Sequence, residues 1–219
     1  MNDSGSKRRN VLIVDDHPIV RQGLRQLIDA EHDLHVSDDV ESFDAAIQSL
    51  ANGYPDVVVL DLSFPDRDGL ELLKELRAMT RELPVLILSM HDENVYAERL
   101  LSAGANGYIM KQAAADQLLT AIRRVLAGGM YVSEDIGSSM IERFASSGVQ
   151  QSANPVERLS NRELQVLNLI GSGKTTREAA ESLDLSIKTV ESHRQRIKKK
   201  LHLQTSAQLV QFAVSYSIH

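Results

Sequence analysis

Five short apolar segments rich in β-branched residues constrain the fold of this chain more than any other feature. They span residues 11–14, 34–37, 57–62, 85–89 and 107–110, so their starts lie 23, 23, 28 and 22 positions apart. Apolar residues between them recur at helical spacing, as at Leu24, Leu27 and Ile28. Strands that alternate with helices in this way form βα units around a parallel sheet. We therefore predict an α/β, doubly wound, five-stranded parallel sheet.

The composition excludes several other classes of protein. Apolar residues make up 42% and charged residues 25% of the chain, which is ordinary for a globular protein and excludes disorder of the whole chain. The absence of Cys excludes disulfides, Fe–S clusters and Cys-ligated zinc. No apolar run approaches the ~18 residues of a membrane span, and the polar N-terminus does not resemble a signal peptide. We expect a cytoplasmic protein without a membrane partner.

Charge and composition divide the chain into two domains. Residues 1–156 carry a net charge of −10, whereas residues 157–219 carry 10 Lys and Arg against 6 Asp and Glu. A stretch rich in Ser, Gly and Gln separates them, preceded by a short amphipathic helix near residues 136–144. We expect an α/β domain over residues 10–128, a linker over 129–155 and a basic helical domain over 156–219, whose charge suits nucleic acid.

Charged and hydroxyl side chains follow four of the predicted strands. Asp15 and Asp16 follow the first strand, Asp61 the third, Ser89 ends the fourth and Lys111 follows the fifth. In a parallel sheet these positions share the carboxyl edge. In a 2-1-3-4-5 strand order the first and third strands are neighbours at the switch point, where ligands bind. Three carboxylates in one crevice suit Mg²⁺, and one of them can act as a nucleophile that forms an acyl phosphate.

The segments that carry these residues resemble the receiver domain of two-component response regulators. The resemblance covers about residues 10–128 and rests on VLIVDDHP from residue 11, VVVLDLSFPDRDG from 57, LILSM from 86 and GANGYIMK from 104. It implies a flavodoxin-like receiver in which Asp61 accepts a phosphoryl group from a histidine kinase. It further implies the following roles: Mg²⁺ ligands Asp15, Asp16, Asp61 and the backbone carbonyl of Ser63; phosphoryl contacts Ser89 and Lys111; and an aromatic switch at Tyr108 that swings inward as Ser89 moves.

The basic domain is predicted to form four helices. Capping boxes at Ser160–Glu163 and Thr175–Glu178 begin the first two, Ser186 can cap a third that runs to about Leu201, and a fourth covers about residues 205–216. Two short helices joined by a tight turn form a helix-turn-helix. On the third helix, one face is predicted to enter the core through Ile187, Val190, Ile197 and Leu201. The opposite face mixes Lys, Glu, Ser and Gln, which suits a DNA major groove, and the basic run from Arg194 to Lys200 is expected to grip phosphates.

This domain resembles the LuxR-type helix-turn-helix of the NarL/FixJ class. The resemblance covers about residues 156–219 and rests on LSNRELQVL from residue 159, LDLSIKTVESHR from 183 and the following Lys200–Leu201. It implies that Glu191, Ser192 and Gln195 face base edges of double-stranded DNA. It implies that the backbone is held by Lys188, Thr189, Arg194, Lys198 and Lys199. It also implies a homodimer face on the last helix, formed by Leu209, Phe212, Val214 and Tyr216, some of which must also pack the core.

Three other functional interpretations compete with that of a DNA-binding response regulator. The GSGKT run at residues 171–175 looks like the end of a P-loop, but Asn168 stands where the full pattern needs Gly. A phosphohydrolase with Asp61 as nucleophile would carry a second Asp where this chain has Ser63. A receiver kept only for dimerisation would not need the complete set of Asp15, Asp16, Asp61, Ser89 and Lys111. The sequence therefore predicts a phosphorylation-controlled, DNA-binding transcription regulator that dimerises when phosphorylated and is not a turnover enzyme.

Overall fold

The computed structural model describes residues 8–53, 55–62, 64, 69–90, 93–113, 115–146 and 155–217. The chain divides into two compact units, residues 1–149 and 150–219. Within the described part of the chain, none of the helices combines the length and hydropathy that crossing a membrane requires.

The first unit is built on a five-stranded, wholly parallel sheet, as the sequence predicts. Its strands are β1 (Arg9–Val14), β2 (Leu34–Val40), β3 (Val57–Leu60), β4 (Val85–Ser89) and β5 (Gly107–Met110), in the order β2-β1-β3-β4-β5. The strand β2 continues past the predicted end at residue 37. The strand β3 stops before the predicted end at residue 62, because its pairing with β1 and β4 ends at Leu60.

Helices pack on the sheet and bury β3, β4 and the last four residues of β1. They are α1 (Pro18–Asp29), α2 (Phe43–Asn52), α3 (Gly69–Met79), α4 (Glu93–Ser102) and α5 (Ala115–Leu126). On one face, α1 and α5 pack against alternate strand residues such as Val11, Ile13 and Val59, each at most 1% exposed. The buried residues between them point to the other face, as strand geometry requires. The apolar runs of β1, β3 and β4 are thus explained by burial on both faces.

The chain after α5 packs back against the sheet within the first unit. We call residues 129–146 the connecting segment; it ends in helix α6 (Glu134–Ser146), close to the predicted helix. Tyr131 pairs with the β5 edge: its carbonyl accepts the Tyr108 N–H at 2.8 Å, and its N–H donates to the Asn106 carbonyl at 3.1 Å. The buried Glu93 carboxylate of α4 accepts the Ser133 N–H at 2.8 Å. The segment is therefore fastened to both β5 and α4.

The second unit consists of a 3₁₀ turn (Pro155–Arg158) and helices α7 (Asn161–Gly171), α8 (Thr176–Ser182), α9 (Ile187–Lys200) and α10 (Ser206–Ser217). Both predicted capping boxes are present, at Ser160 and Thr175, so two helix starts are encoded locally. Fully buried apolar side chains from different helices form the core of this unit: Val166, Leu167, Val190, Ile197, Leu209 and Ala213.

Candidate functional site

The carboxyl edge of the sheet brings the predicted acidic residues together. Asp15 and Asp61 each follow a strand and are 1% exposed, and the Asp61 N–H donates to the Val14 carbonyl at 2.8 Å. This bond locks the end of β3 to the end of β1. The two carboxylates therefore face each other where the strand order reverses, the position at which open α/β sheets bind ligands.

Lys111 supplies the positive charge of this site. Its Nζ lies 2.6 Å from Asp15 Oδ2 and 2.7 Å from Asp61 Oδ2, and its side chain is only 7% exposed. Burial works to lower the pKa of the Lys111 ammonium, but the nearby charges of Asp61 and Asp15 and their hydrogen bonds outweigh it, so the pKa is raised. Lys111 is therefore fully charged at neutral pH and compensates two buried carboxylates.

The imidazole of His17 is a member of the site that sequence reasoning missed. Its Nδ1 lies 2.7 Å from Asp16 Oδ1 and 3.1 Å from Asp15 Oδ1, and the backbone N–H of His17 donates to Asp15 Oδ1 at 2.8 Å. The sequence signal was its position directly after the Asp pair. The ring is 57% exposed and forms the solvent side of the acidic cluster.

The donor set fits a small divalent cation. One ligand atom from each of Asp15, Asp16, His17 and Asp61 lies within 4.8 Å of all the others. Octahedral Mg²⁺ with oxygen ligands at about 2.0–2.1 Å needs donor atoms no more than about 4.2 Å apart, so small side-chain rotations are sufficient. The predicted fourth ligand, the carbonyl of Ser63, lies outside the described residues.

Ser89 and Tyr108 are both buried beside this edge. Ser89 ends β4 and its carbonyl accepts the Lys111 N–H at 2.8 Å, while Tyr108 on β5 is fully buried and registers with Ile87. Tyr108 therefore occupies an inward position in this structure. It also contributes to the wall of a cavity of about 570 Å³, together with Glu93, Tyr131 and Ser133.

In the second unit, α9 presents the polar face that the sequence predicts. The outward residues fall into two groups by exposure: Lys188, Glu191, Ser192, Gln195 and Lys199 are exposed, and Thr189, Arg194 and Lys198 are partly exposed. Val190 and Ile197 are fully buried on the opposite side. The helix is thus anchored by one apolar stripe and offers donors and acceptors along the other.

Two residues of α9 differ from the prediction. Ile187 was expected in the core but is 52% exposed, because it is the first residue of the helix and its side chain projects past the N-terminal end. Lys200 was expected to grip phosphates, but its Nζ lies 2.6 Å from Glu163 Oε2. Since the Glu163 carboxylate is 3% exposed, Lys200 compensates a buried charge and ties α9 to α7.

The other sequence features of this unit are also placed by the structure. Gly171 ends α7 and Thr175 caps α8, so residues 171–175 connect two helices and lack the preceding strand of a P-loop. On α10, Leu209 is fully buried and belongs to the core rather than to an outer face. Val214 remains 40% exposed, and the rings of Phe212 and Tyr216 stack at a centroid distance of 6.5 Å.

Comparison with known proteins agrees with this geometry. Residues 11–123 match the response regulator receiver domain, and residues 157–213 match the bacterial regulatory proteins of the luxR family. The oxygen regulatory protein NreC of Staphylococcus aureus (strain JH9) is 38% identical over 212 residues, which cover 93% of this chain and 96% of that protein.

Solved structures give the same result. A LuxR-family two-component response regulator from Aurantimonas sp. SI85-9A1 has a TM-score of 0.59 at 32% identity and covers 64% of this chain and 99% of its own. RcsB from Salmonella enterica serovar Typhimurium, bound to promoter rprA with the phosphomimetic BeF₃⁻, has a TM-score of 0.58 at 28% identity and covers 95% of this chain and 99% of its own. The chain therefore belongs to the response regulators that join a receiver domain to a LuxR-type helix-turn-helix, and is a phosphorylation-controlled transcription regulator.

Proposed function

We propose that Asp61 is the phosphoacceptor and that a histidine kinase is the donor. The observation that carries this proposal is a fully buried carboxylate at the switch point of the sheet with a buried ammonium 2.7 Å away. An Asp61 oxygen attacks phosphorus and forms a new O–P bond. The P–N bond to the kinase histidine breaks, and the departing imidazole nitrogen takes up a proton.

Asp15, Asp16 and Asp61 are proposed to hold Mg²⁺, together with the backbone carbonyl of Ser63. When bound, the cation neutralises charge on the phosphoryl oxygens and on the carboxylates. The three side chains converge from two neighbouring strand ends, which supports this assignment.

Lys111 and Ser89 are proposed to contact the phosphoryl group once it is on Asp61. Lys111 already lies between Asp15 and Asp61, so a short side-chain movement brings its ammonium to a phosphoryl oxygen. Ser89 would donate its hydroxyl. The phosphoryl group then stays on the protein as a signal, since we propose no turnover chemistry for this site.

The signal is proposed to leave the receiver through Ser89, Tyr108 and the connecting segment. Tyr108 is fully buried on β5, beside the strand β4 that ends at Ser89, and contributes to the wall of the 570 Å³ cavity. Its backbone N–H is bonded to the Tyr131 carbonyl at 2.8 Å, and Glu93 holds the next turn of the segment. A movement of β5 or of α4 would therefore shift the connecting segment, which leads toward the second unit.

The second unit is proposed to bind double-stranded DNA through α9. Glu191, Ser192 and Gln195 would face base edges, and Lys188, Thr189, Arg194, Lys198 and Lys199 would hold phosphates. We further propose that phosphorylation favours a homodimer through α10, that the domains span residues 10–128 and 156–219 with a linker over 129–155, and that the protein acts in the cytoplasm, where its DNA lies.

The acceptor assignment is tested with Asp61→Asn, which keeps the size of the side chain but removes the nucleophile. With acetyl phosphate and Mg²⁺, the wild type should gain one hydroxylamine-sensitive phosphoryl group and the variant none. Glu82→Gln is the matched control, because it removes an exposed carboxylate of the same unit. An Asp61→Asn protein that is phosphorylated at the wild-type rate would contradict the assignment.

The coupling is tested by DNA affinity. Phosphorylated full-length protein should bind DNA more tightly than unphosphorylated protein, and a tenfold gain needs only about 1.4 kcal/mol. A fragment of residues 150–219, which has its own core, should bind without phosphate. An affinity that does not respond to phosphorylation would refute the coupling while leaving the acceptor assignment intact.

A further inference from the structure

The carboxylate of Glu191 on α9 is held by a side chain of the neighbouring helix. The Thr176 hydroxyl on α8 donates to Glu191 Oε1 at 3.0 Å, and Arg194 Nε lies 3.8 Å from the same oxygen. Glu191 is half exposed, with 50% of its side chain accessible. Both contacts involve Oε1, so the carboxylate is fixed from one side while the residue remains accessible on the surface of α9.

Local structure at the start of α8 places Thr176 for this contact. Thr175 is the N-cap: its hydroxyl accepts the Glu178 N–H at 3.2 Å and donates to the Glu178 carboxylate at 2.8 Å. The hydroxyl of Thr175 is thus used within its own helix. Thr176, the first residue of the helix proper, is turned toward α9, and the capping box fixes the backbone from which its hydroxyl reaches Glu191.

On a DNA-binding face, a carboxylate can contribute only by accepting a hydrogen bond from a base. Phosphates repel it, and among base edges it can only accept from an exocyclic amine, for which cytosine N4 is the usual partner. A Glu side chain that is free to rotate loses conformational entropy when it binds, and a side chain already held in place loses less. The hydrogen bond from Thr176 therefore prepares Glu191 for a base amine and keeps it from turning away.

We propose that Thr176 is a specificity-determining positioning residue, which acts through Glu191 to select a cytosine amine in the major groove. The proposal rests on the proposed function of α9 as the helix that reads DNA. Thr176 itself need not touch DNA. Its contribution is confined to one base pair of each half-site and does not depend on neutralising phosphates.

The experiment compares sequence preference in full-length variants. Binding sites are selected from random duplexes with the wild type, and affinities are then measured on the selected site with each base pair replaced in turn. Thr176→Val replaces the hydroxyl by a methyl group, whereas Thr176→Ser retains it. Ser182→Ala is the matched control, since it removes an α8 hydroxyl that donates to the Glu178 carbonyl at 2.7 Å and not to α9.

We expect Thr176→Val to reduce discrimination about fivefold at one C·G pair only, with an unchanged salt slope. Thr176→Ser and Ser182→Ala should behave as the wild type. Replacing that cytosine by 2-pyrimidinone, which lacks the exocyclic amine, should weaken wild-type binding more than Thr176→Val binding. In a Glu191→Ala background, Thr176→Val should have no further effect on that pair.

Two results would overturn this role. If Thr176→Val keeps the wild-type preference at every pair, the contact does not position Glu191. If it weakens all sequences equally and lowers the salt slope, Thr176 is a phosphate contact instead. A wild-type protein that selects no sequence at all would refute the proposed reading of DNA by α9, which is a separate and recognisable failure.

Discussion

An ion pair joins α5 to the turn before β2, and its geometry sets how much stability is lost when it is removed. The Arg123 guanidinium donates through Nε and Nη2 to both oxygens of Asp33, at 2.8 and 2.7 Å, and Nη2 also lies 2.6 Å from Glu31 Oε2. These hydrogen bonds to Arg123 lower the pKa of Asp33 from 3.8 to about 2. We predict that Asp33→Asn destabilises the first unit.

The magnitude follows from proton linkage. A shift of that size corresponds to about 2 kcal/mol at neutral pH, at about 1.4 kcal/mol per pKa unit. The side chains of Asp33 and Arg123 are 32% and 39% exposed, so solvent screening reduces the expected loss to about 1 kcal/mol. For a unit of this size, such a loss lowers the melting temperature by about 2–4 °C.

The pH dependence has a defined sign. Because the folded pKa of Asp33 is depressed, its contribution is complete above the unfolded value of 3.8 and is lost as the pH falls through about 2. The difference between wild type and Asp33→Asn should therefore be full at pH 6 and about half as large at pH 3.

Urea unfolding of the full-length proteins, followed by circular dichroism at several pH values, measures this difference. Glu82→Gln, which removes an exposed carboxylate of the same unit, is the control. A pH 6 loss no larger than that of the control, or a difference that grows toward pH 3, would refute the reasoning. An Asp33 carboxyl that titrates near 3.8 by NMR would also do so.

Three further changes test other contacts. Lys198→Ala combined with Lys199→Ala should weaken binding to all DNA sequences and lower the log–log salt slope by about 0.9 per lost phosphate contact, and an unchanged slope would exclude the proposed role. Glu93→Ala removes the acceptor of the Ser133 N–H in the connecting segment, so amide exchange at residues 131–136 should accelerate; unchanged protection would show that the bond does not hold the segment. Gly107→Ala would place a Cβ 2.7 Å from the Tyr131 carbonyl oxygen, so exchange of the Tyr131 N–H should also accelerate, and wild-type protection there would show that the clash is relieved without opening this pairing.

The sheet and the acidic site were predictable from sequence because both depend on short-range patterns. Strand ends are visible as the last residues of apolar runs, and a parallel sheet brings all such ends to one edge. Asp15, Asp61 and Lys111 could therefore be assigned to one site although they are far apart in the chain. The capping boxes of Ser160 and Thr175 were equally local signals.

What the sequence did not reveal depends on packing between distant segments. The ion pair of Lys200 with Glu163 joins residues 37 positions apart, and nothing in the basic run of α9 distinguishes Lys200 from its neighbours. The Ser133–Glu93 bond uses a backbone donor, which has no sequence signature. The same holds for Thr176, since a hydroxyl one residue after an N-cap gives no indication of the helix it will face.

The pairing of Tyr131 with β5 has a consequence for protein handling. Strand β5 ends the sheet, and the unpaired N–H and C=O groups of an edge strand are a template for another chain. Tyr131 forms hydrogen bonds with the N–H of Tyr108 and the carbonyl of Asn106, so these two edge groups are already paired. A receiver fragment that ends at residue 128 would lack this pairing. Its edge strand β5 would then be free to pair with a second molecule. Fragments that extend through residue 146 should therefore resist self-association at concentrations where the shorter one aggregates.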